Sequence, residues 1–276
     1  MADTDPNTTT AATEQPVIVC VPARWAAAAP TDDDLARLDE LGISHLWLRD
    51  DGTPTEPIDH IPWLVDWAAA PGRGLIVDRT LNRDRRRLGE QPLLSASWQG
   101  SEVDLAALAA GGDDHLLRQA SSAPVVRMGL RQALLDRQPG VLAEAAGLCR
   151  GTELVWLDDA VREQMAEAGE LLLALSLLLA LPGLPCLGWA GEHGSDEGPL
   201  AHWPVGLSSD ERTSLAEWIR LRRSAGLAGR RCEVLDTGGP TVLTLRYEVD
   251  GGTLTTTHDL AARTARWELS RPDEAG

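Results

Sequence analysis

Short apolar runs punctuated by polar residues and glycines recur along the chain, and the stretches between several of them carry a helical period. Residues 17–21, 43–48 and 74–78 (Val-Ile-Val-Cys-Val, Ile-Ser-His-Leu-Trp-Leu, Gly-Leu-Ile-Val-Asp) read as buried strands. Leu35, Leu38 and Leu41 predict a helix over 32–41, capped by Thr31, acidic in its first turn and ended by Gly42. A second helix is predicted over 61–70. The apolar runs 124–129, 140–145, 153–159 and 184–189 read as four further strands, with a helix around 130–137 between the first two. Residues 79–99 are Arg-rich and loop-like, and 103–110 and 114–120 read as helical fragments. A helix over 160–181 is apolar nearly all round and should be deeply packed. An amphipathic helix follows over 208–225, started by Ser208 or Ser209. Segments 232–235, 241–249, 253–258 and 264–269 then alternate as antiparallel strands between Gly-rich turns.

Strands that stop at polar residues and alternate with helices are the rhythm of a parallel barrel, whose site lies at the strand C-termini. The fold class expected is therefore α/β: a shortened or incomplete (β/α)8 TIM barrel over 16–225, preceded by a disordered tail over 1–15 and followed by a small C-terminal antiparallel β domain over 226–276. Seven strands are counted. Too few residues separate Ala145 from Glu153 for a helical return, so a strand–helix unit is taken to be missing there.

Charge narrows the partners. The formal net charge is −17, and all side-chain cations other than histidine are arginines, which argues against nucleic acid and anionic membranes. The apolar run 171–181 is too short to cross a bilayer, and residues 1–15 hold no apolar core of a signal peptide, so a cytoplasmic location is expected. Cysteines 20, 149, 186 and 232 and the six histidines show no metal-ligand or redox spacing, so neither metal nor cofactor is expected. An open barrel edge would invite pairing with a second copy, which makes a homodimer one expectation.

The order of motifs resembles the alpha-amylase family of glycoside hydrolases, most closely its trehalose synthase branch, from about Val17 to Leu269. Residues 41–48 resemble the family's lead into its second strand. Residues 74–83 resemble its first signature, with Asp78 and Asn82 matching and Arg83 in place of a histidine. Arg127-Met-Gly129 resembles the second, with Arg127 matching and Gly129 where the family has its nucleophilic Asp. Val141-Leu-Ala-Glu144 resembles the third and Trp156-Leu-Asp158 the fourth. Residues 181–192 resemble the proline-rich lead into the eighth strand, with Glu192 kept. The resemblance implies Glu144 as general acid/base, Asp158 as transition-state stabiliser, and Asp78, Asn82, Arg127, Trp156 and Glu192 as substrate-binding residues. A calcium site or covering subdomain is not carried over, because the excursion after the third strand is short.

Retaining glycoside cleavage needs two carboxyl groups about 5–5.5 Å apart, one acid/base and one nucleophile, and Gly129 cannot attack. Two readings follow. One is a catalytically silent protein that binds an alpha-glucoside or disaccharide, or serves as scaffold to a protein of trehalose or glycogen metabolism. The alternative is a divergent enzyme using Glu144 as acid, by inversion or another acid-catalysed step. Individual residues carry structural readings too. Asp158 and Asp159 would cap the following helix. Asp78 would bond inside the mouth. Arg127 would pair with one of these acids, since a lone buried charge is costly. Trp156, Trp189 and Trp203 would pack in the core or form a sugar platform. The Arg-rich run 83–87 would be a solvated face or a phosphate contact.

Overall fold

A computed structural model describes residues 16–22, 25, 30–49, 62–70, 73–78, 93–99, 102–108, 121–122, 124–149, 153–188, 207–235 and 239–271. Twelve strands are described: β1 Ile18–Pro22, β2 His45–Arg49, β3 Gly74–Asp78, β4 Leu93–Gln99, β5 Glu102–Leu108, β6 Ser121–Ser122, β7 Glu153–Trp156, β8 Leu184–Gly188, β9 Cys232–Leu235, β10 Val242–Val249, β11 Gly252–Asp259 and β12 Thr264–Ser270. The described helices are α1 Asp32–Glu40, α2 Pro62–Ala69, α3 Pro124–Asp136, α4 Gly140–Leu148, α5 Asp159–Glu167, α6 Leu171–Ala180 and α7 Ser209–Ala225.

β1 to β8 form one sheet in the order β5-β4-β3-β2-β1-β8-β7-β6. Pairing is parallel throughout except for the antiparallel β4–β5 pair. The last strand pairs with the first, Ile18 opposite Cys186, so the order is that of a ring opened between β5 and β6. Arg223 of α7 reaches the carbonyl of Gly42 at the end of α1, 3.0 Å, so the helix after β8 also returns beside the helix after β1.

Side-chain alternation sorts this sheet into two faces. Val19, Val21, Leu46, Leu48, Leu75, Val155 and Leu187 join the core shared with the helices. Ile18, Cys20, Trp47, Ile76, Leu154, Trp156, Leu184 and Cys186 form a separate cluster, made of strand residues together with Ala228. A sheet buried on both faces, one against helices and one against its own strands, is what a barrel layout produces.

Several predicted elements stand where the sequence puts them, and their ends have local causes. Thr31 and Asp34 form a capping box on α1, and Gly42 takes φ +70 just beyond it. Ser208 and Glu211 do the same on α7, which Gly226 ends in the left-handed region. Five readings are corrected. The helix expected over 160–181 is two, α5 and α6, parted at Gly169, which takes φ +68. Residues 124–129 and 140–145 are not strands: they open α3 and α4. Pro124 fits the first helical turn, where its missing N–H costs nothing. Residues 103–108 are strand β5, not helix, and 93–99 are strand β4, not loop. The interval before Glu153 therefore lacks no unit, because α3 and α4 are the return from β6 to β7. The fragment expected over 114–120 and the tail over 1–15 lie outside the described residues.

β9 to β12 form the expected C-terminal antiparallel sheet, in the order β12-β11-β10-β9. Leu243, Leu245, Tyr247 and Leu254 from its inner face join the same core as α6 and α7. The boundary drawn at residue 226 thus divides the chain without dividing the core. α6 is the keystone: nine of its ten residues are buried, and all but Ser176 are apolar. Its C-terminal carbonyls are taken up from outside the helix. Arg222 donates to the carbonyls of Leu179, Leu181 and Gly183, and Tyr247 donates to that of Ala180 at 2.5 Å. This clamp holds the proline-rich turn that feeds β8.

Candidate functional site

The C-terminal end of β7 is where three of the predicted residues, Arg127, Trp156 and Asp158, meet. Trp156 is the last residue of β7, points into the strand-lined cluster and is 2% exposed. Two residues later Asp158 takes the N-cap position of α5, but its side chain makes no capping hydrogen bond. Its Oδ1 lies 3.5 Å from Nη1 of Arg127, which stands on the first turn of α3. The Arg127 guanidinium lies over the Trp156 ring, 4.3 Å from its centroid. Arg127 is 8% exposed and the Asp158 side chain 40%. A buried arginine is thus held between an indole face and a carboxylate that keeps one side to solvent. The expected pairing of Arg127 with an acid is present, and the indole is packed beneath the cation.

A second buried arginine, not anticipated, stands beside these. Arg162 is 6% exposed, and a Cβ on Gly188 at the end of β8 would lie 2.8 Å from its Nη1. Gly188 is the residue that lets the guanidinium reach the strand end. The signal was present in sequence: Arg162 follows Asp158 by one helical turn.

Gly129 of the second signature and Glu144 of the third stand elsewhere. Gly129 lies inside α3, facing α4. A Cβ there would come within 2.8 Å of Cα and 2.9 Å of N of Leu142. Its lack of a side chain is explained by the close approach of two helices, and the position is not a strand end. Glu144 is an exposed residue in the middle of α4. Its placement on the strand rim is corrected: α4 belongs to the helix layer, packed on α3 and against β9. Asp78 is the last residue of β3, as expected, on a strand four places from β7 in the sheet order. Asn82, Glu192, Trp189, Trp203 and the run 83–87 lie outside the described residues. Among the described residues no cluster of three or more His, Cys, Asp or Glu is arranged to hold a metal ion. No described helix is long and apolar enough to cross a membrane.

No family model matches the chain, and no curated protein matches it. Solved structures do. The ligand-free cyclic alpha-maltosyl-(1→6)-maltose hydrolase of Arthrobacter globiformis is 11% identical, with a TM-score of 0.56 over 93% of this chain and 96% of that one. The noncanonic maltogenic alpha-amylase of Thermotoga neapolitana is also 11% identical, with a TM-score of 0.54 over 89% and 86% of the two chains. Pullulanase type I of Bacillus subtilis str. 168, complexed with maltose, gives 11% and 0.53 over 94% of this chain and 65% of that one. Identity at this level speaks for fold, and the fold of this chain is that of the alpha-amylase-family glycoside hydrolases.

Proposed function

We propose that this chain is a carbohydrate-binding relative of the alpha-amylase-fold enzymes, built on a shortened (β/α)8 barrel and without glycosidase turnover. One observation carries the reading: the two positions expected to supply attack and protonation, 129 and 144, both sit in outer helices. Retaining cleavage requires two carboxyl groups about 5–5.5 Å apart across one glycosidic bond. The rim carboxylate whose contacts are described, Asp158, is engaged by Arg127. An ion-paired carboxylate with a solvent-facing edge suits a sugar hydroxyl, which donates to the acid and accepts from the guanidinium. The maltose held by the pullulanase neighbour supports an alpha-glucoside as the ligand class.

The test is calorimetric titration of the purified chain with maltose, trehalose and maltooligosaccharides, beside a hydrolysis assay on an activated alpha-glucoside. Saturable heat, lost in Asp158→Ala and kept in Glu144→Gln, with no turnover in any of the three proteins, is the expected result. Turnover abolished by Glu144→Gln would establish the divergent enzyme instead. Absence of heat with every sugar would overturn the binding reading and direct the search to a protein partner.

A further inference from the structure

The seat of the C-terminal sheet on α6 is polar at one point, and the chemistry there is unusual for so apolar a helix. Ser176, the one polar residue of α6, is fully buried. Nε1–H of Trp267, on β12, donates to its hydroxyl oxygen at 2.9 Å. That hydroxyl lies 3.1 Å from Nε2 of His258, on β11, which is also fully buried. A hydroxyl that accepts from an indole can give its own hydrogen to Nε2 of a neutral imidazole, whose ring hydrogen then sits on Nδ1. A second proton on the ring would put a charge among leucines.

Among the described residues, little nearby could stabilise that charge. α6 itself carries no charged residue. Glu170, just before it, is engaged by Arg137 at 2.5 Å and Arg263 at 3.0 Å. Tyr247 is the titratable residue on the inner face of β10, and burial holds its phenol in the neutral form. On β12, Arg266 and Glu268 pair with each other on the exposed face. Trp218 of α7 stacks on Trp267, centroids 6.1 Å apart and planes inclined at 15°.

We propose that Ser176, His258 and Trp267 form an acid-sensitive latch, and that protonation of His258 lifts the C-terminal sheet from α6 before the parallel sheet unfolds. Burial pushes the imidazole down to about 4, outweighing its contacts with Ser176 and Leu243. The unfolded or undocked imidazole binds its proton near pH 6.5 and the seated one only near 4, so the latch weakens as pH falls through that interval. The parallel sheet has its own strand-lined core, in which His258 takes no part.

The experiment is hydrogen exchange by mass spectrometry on the full chain between pH 7 and pH 4, corrected for intrinsic rates. Protection of β11 and β12 should fall at least about tenfold at a pH where β7 and β8 keep theirs, corresponding to about 1.4 kcal/mol of local opening. His258→Gln, which preserves a polar group without the titration, should move the midpoint of that loss down by about one pH unit or more. Simultaneous loss in both sheets, or an unmoved midpoint in the variant, would overturn the proposal. Should His258→Gln not fold, Ser176→Ala serves in its place. It keeps the titrating imidazole but removes the hydroxyl that favours the docked state, so the loss should begin at higher pH, and an unchanged onset would equally overturn the latch.

Discussion

Arg222 shows how much one side chain holds in place. It is fully buried on the apolar stripe of α7, three residues after Ile219 and seven after Leu215. Burial lowers its guanidinium to about 10, still charged at neutrality, and its partners are main-chain carbonyls. Replacing it with Met would leave carbonyls of the α6–β8 turn without donors inside the core. We expect a loss of about 3 kcal/mol in urea denaturation, and Arg222→Lys should recover only part of it, because an ammonium cannot span the same fork. Gly129→Ala tests the helix contact. The gain of about 1 kcal/mol in helix propensity is outweighed by a Cβ placed against Leu142 backbone, so a net loss of about 1–2 kcal/mol should appear in thermal melts. His258 contributes to the pH response of overall stability. Its pKa is depressed in the fold, so its contribution is full above about pH 6.5 and is lost as pH falls toward about 4. Its share of the difference between those limits, about 3 kcal/mol, should be missing from the denaturation curves of His258→Gln.

Among elements, the junction of α3, α6 and the β11–β12 turn concentrates backbone strain. The positive-φ residues other than glycine among those described are Arg137 at φ 58 and Arg263 at φ 62, and both reach Glu170. Each left-handed arginine costs about 1 kcal/mol. Arg137 is the better buried of the two, so Arg137→Gly relieves strain but leaves Glu170 to an exposed partner and should cost a net 1–2 kcal/mol or so. Arg263→Gly should be near neutral, since strain relief offsets an exposed pair. Chemical denaturation of the two variants side by side checks the contrast.

The same scale shows what could be read in advance. Capped helices with clean stripes, α1 and α7, and the strands β1, β2, β3, β7 and β8 were legible because period, caps and turn residues agree there. α3 and α4 were not, because each opens with a short β-branched or leucine-bearing run that fits both periods. Val126, Leu130, Ala133 and Leu134 bury one helical face, but cutting the run at Gly129 hides the stripe. β5 failed in the other direction, since an Ala/Leu-rich segment took a strand through its pairing with β4. Asp158, Arg127 and Trp156 were found together despite the misread helix, because a first helical turn and a strand end both bring a residue to the mouth. Glu144 was misplaced because the run 140–145 reads as a strand and was matched as one to the third signature, whereas it forms a helix.

For the whole molecule, the continuous core beneath both sheets means the chain should not divide at residue 226. A fragment ending there would expose the faces of α6 and α7 that Leu243, Leu245, Tyr247 and Leu254 cover. It should aggregate or bind a hydrophobic dye where the full chain does not, as light scattering would show. The four cysteine thiols turn that architecture into an internal gauge. Cys20 and Cys186 sit in the strand-lined cluster, whereas Cys149 and Cys232 are half-buried beside the helix layer and the C-terminal sheet. A thiol-reactive dye should therefore read the protein as two clocks. The outer pair should be consumed when the sheet shifts, the inner pair only when the strands themselves part, and the interval between the two measures how far the halves of this chain can move independently.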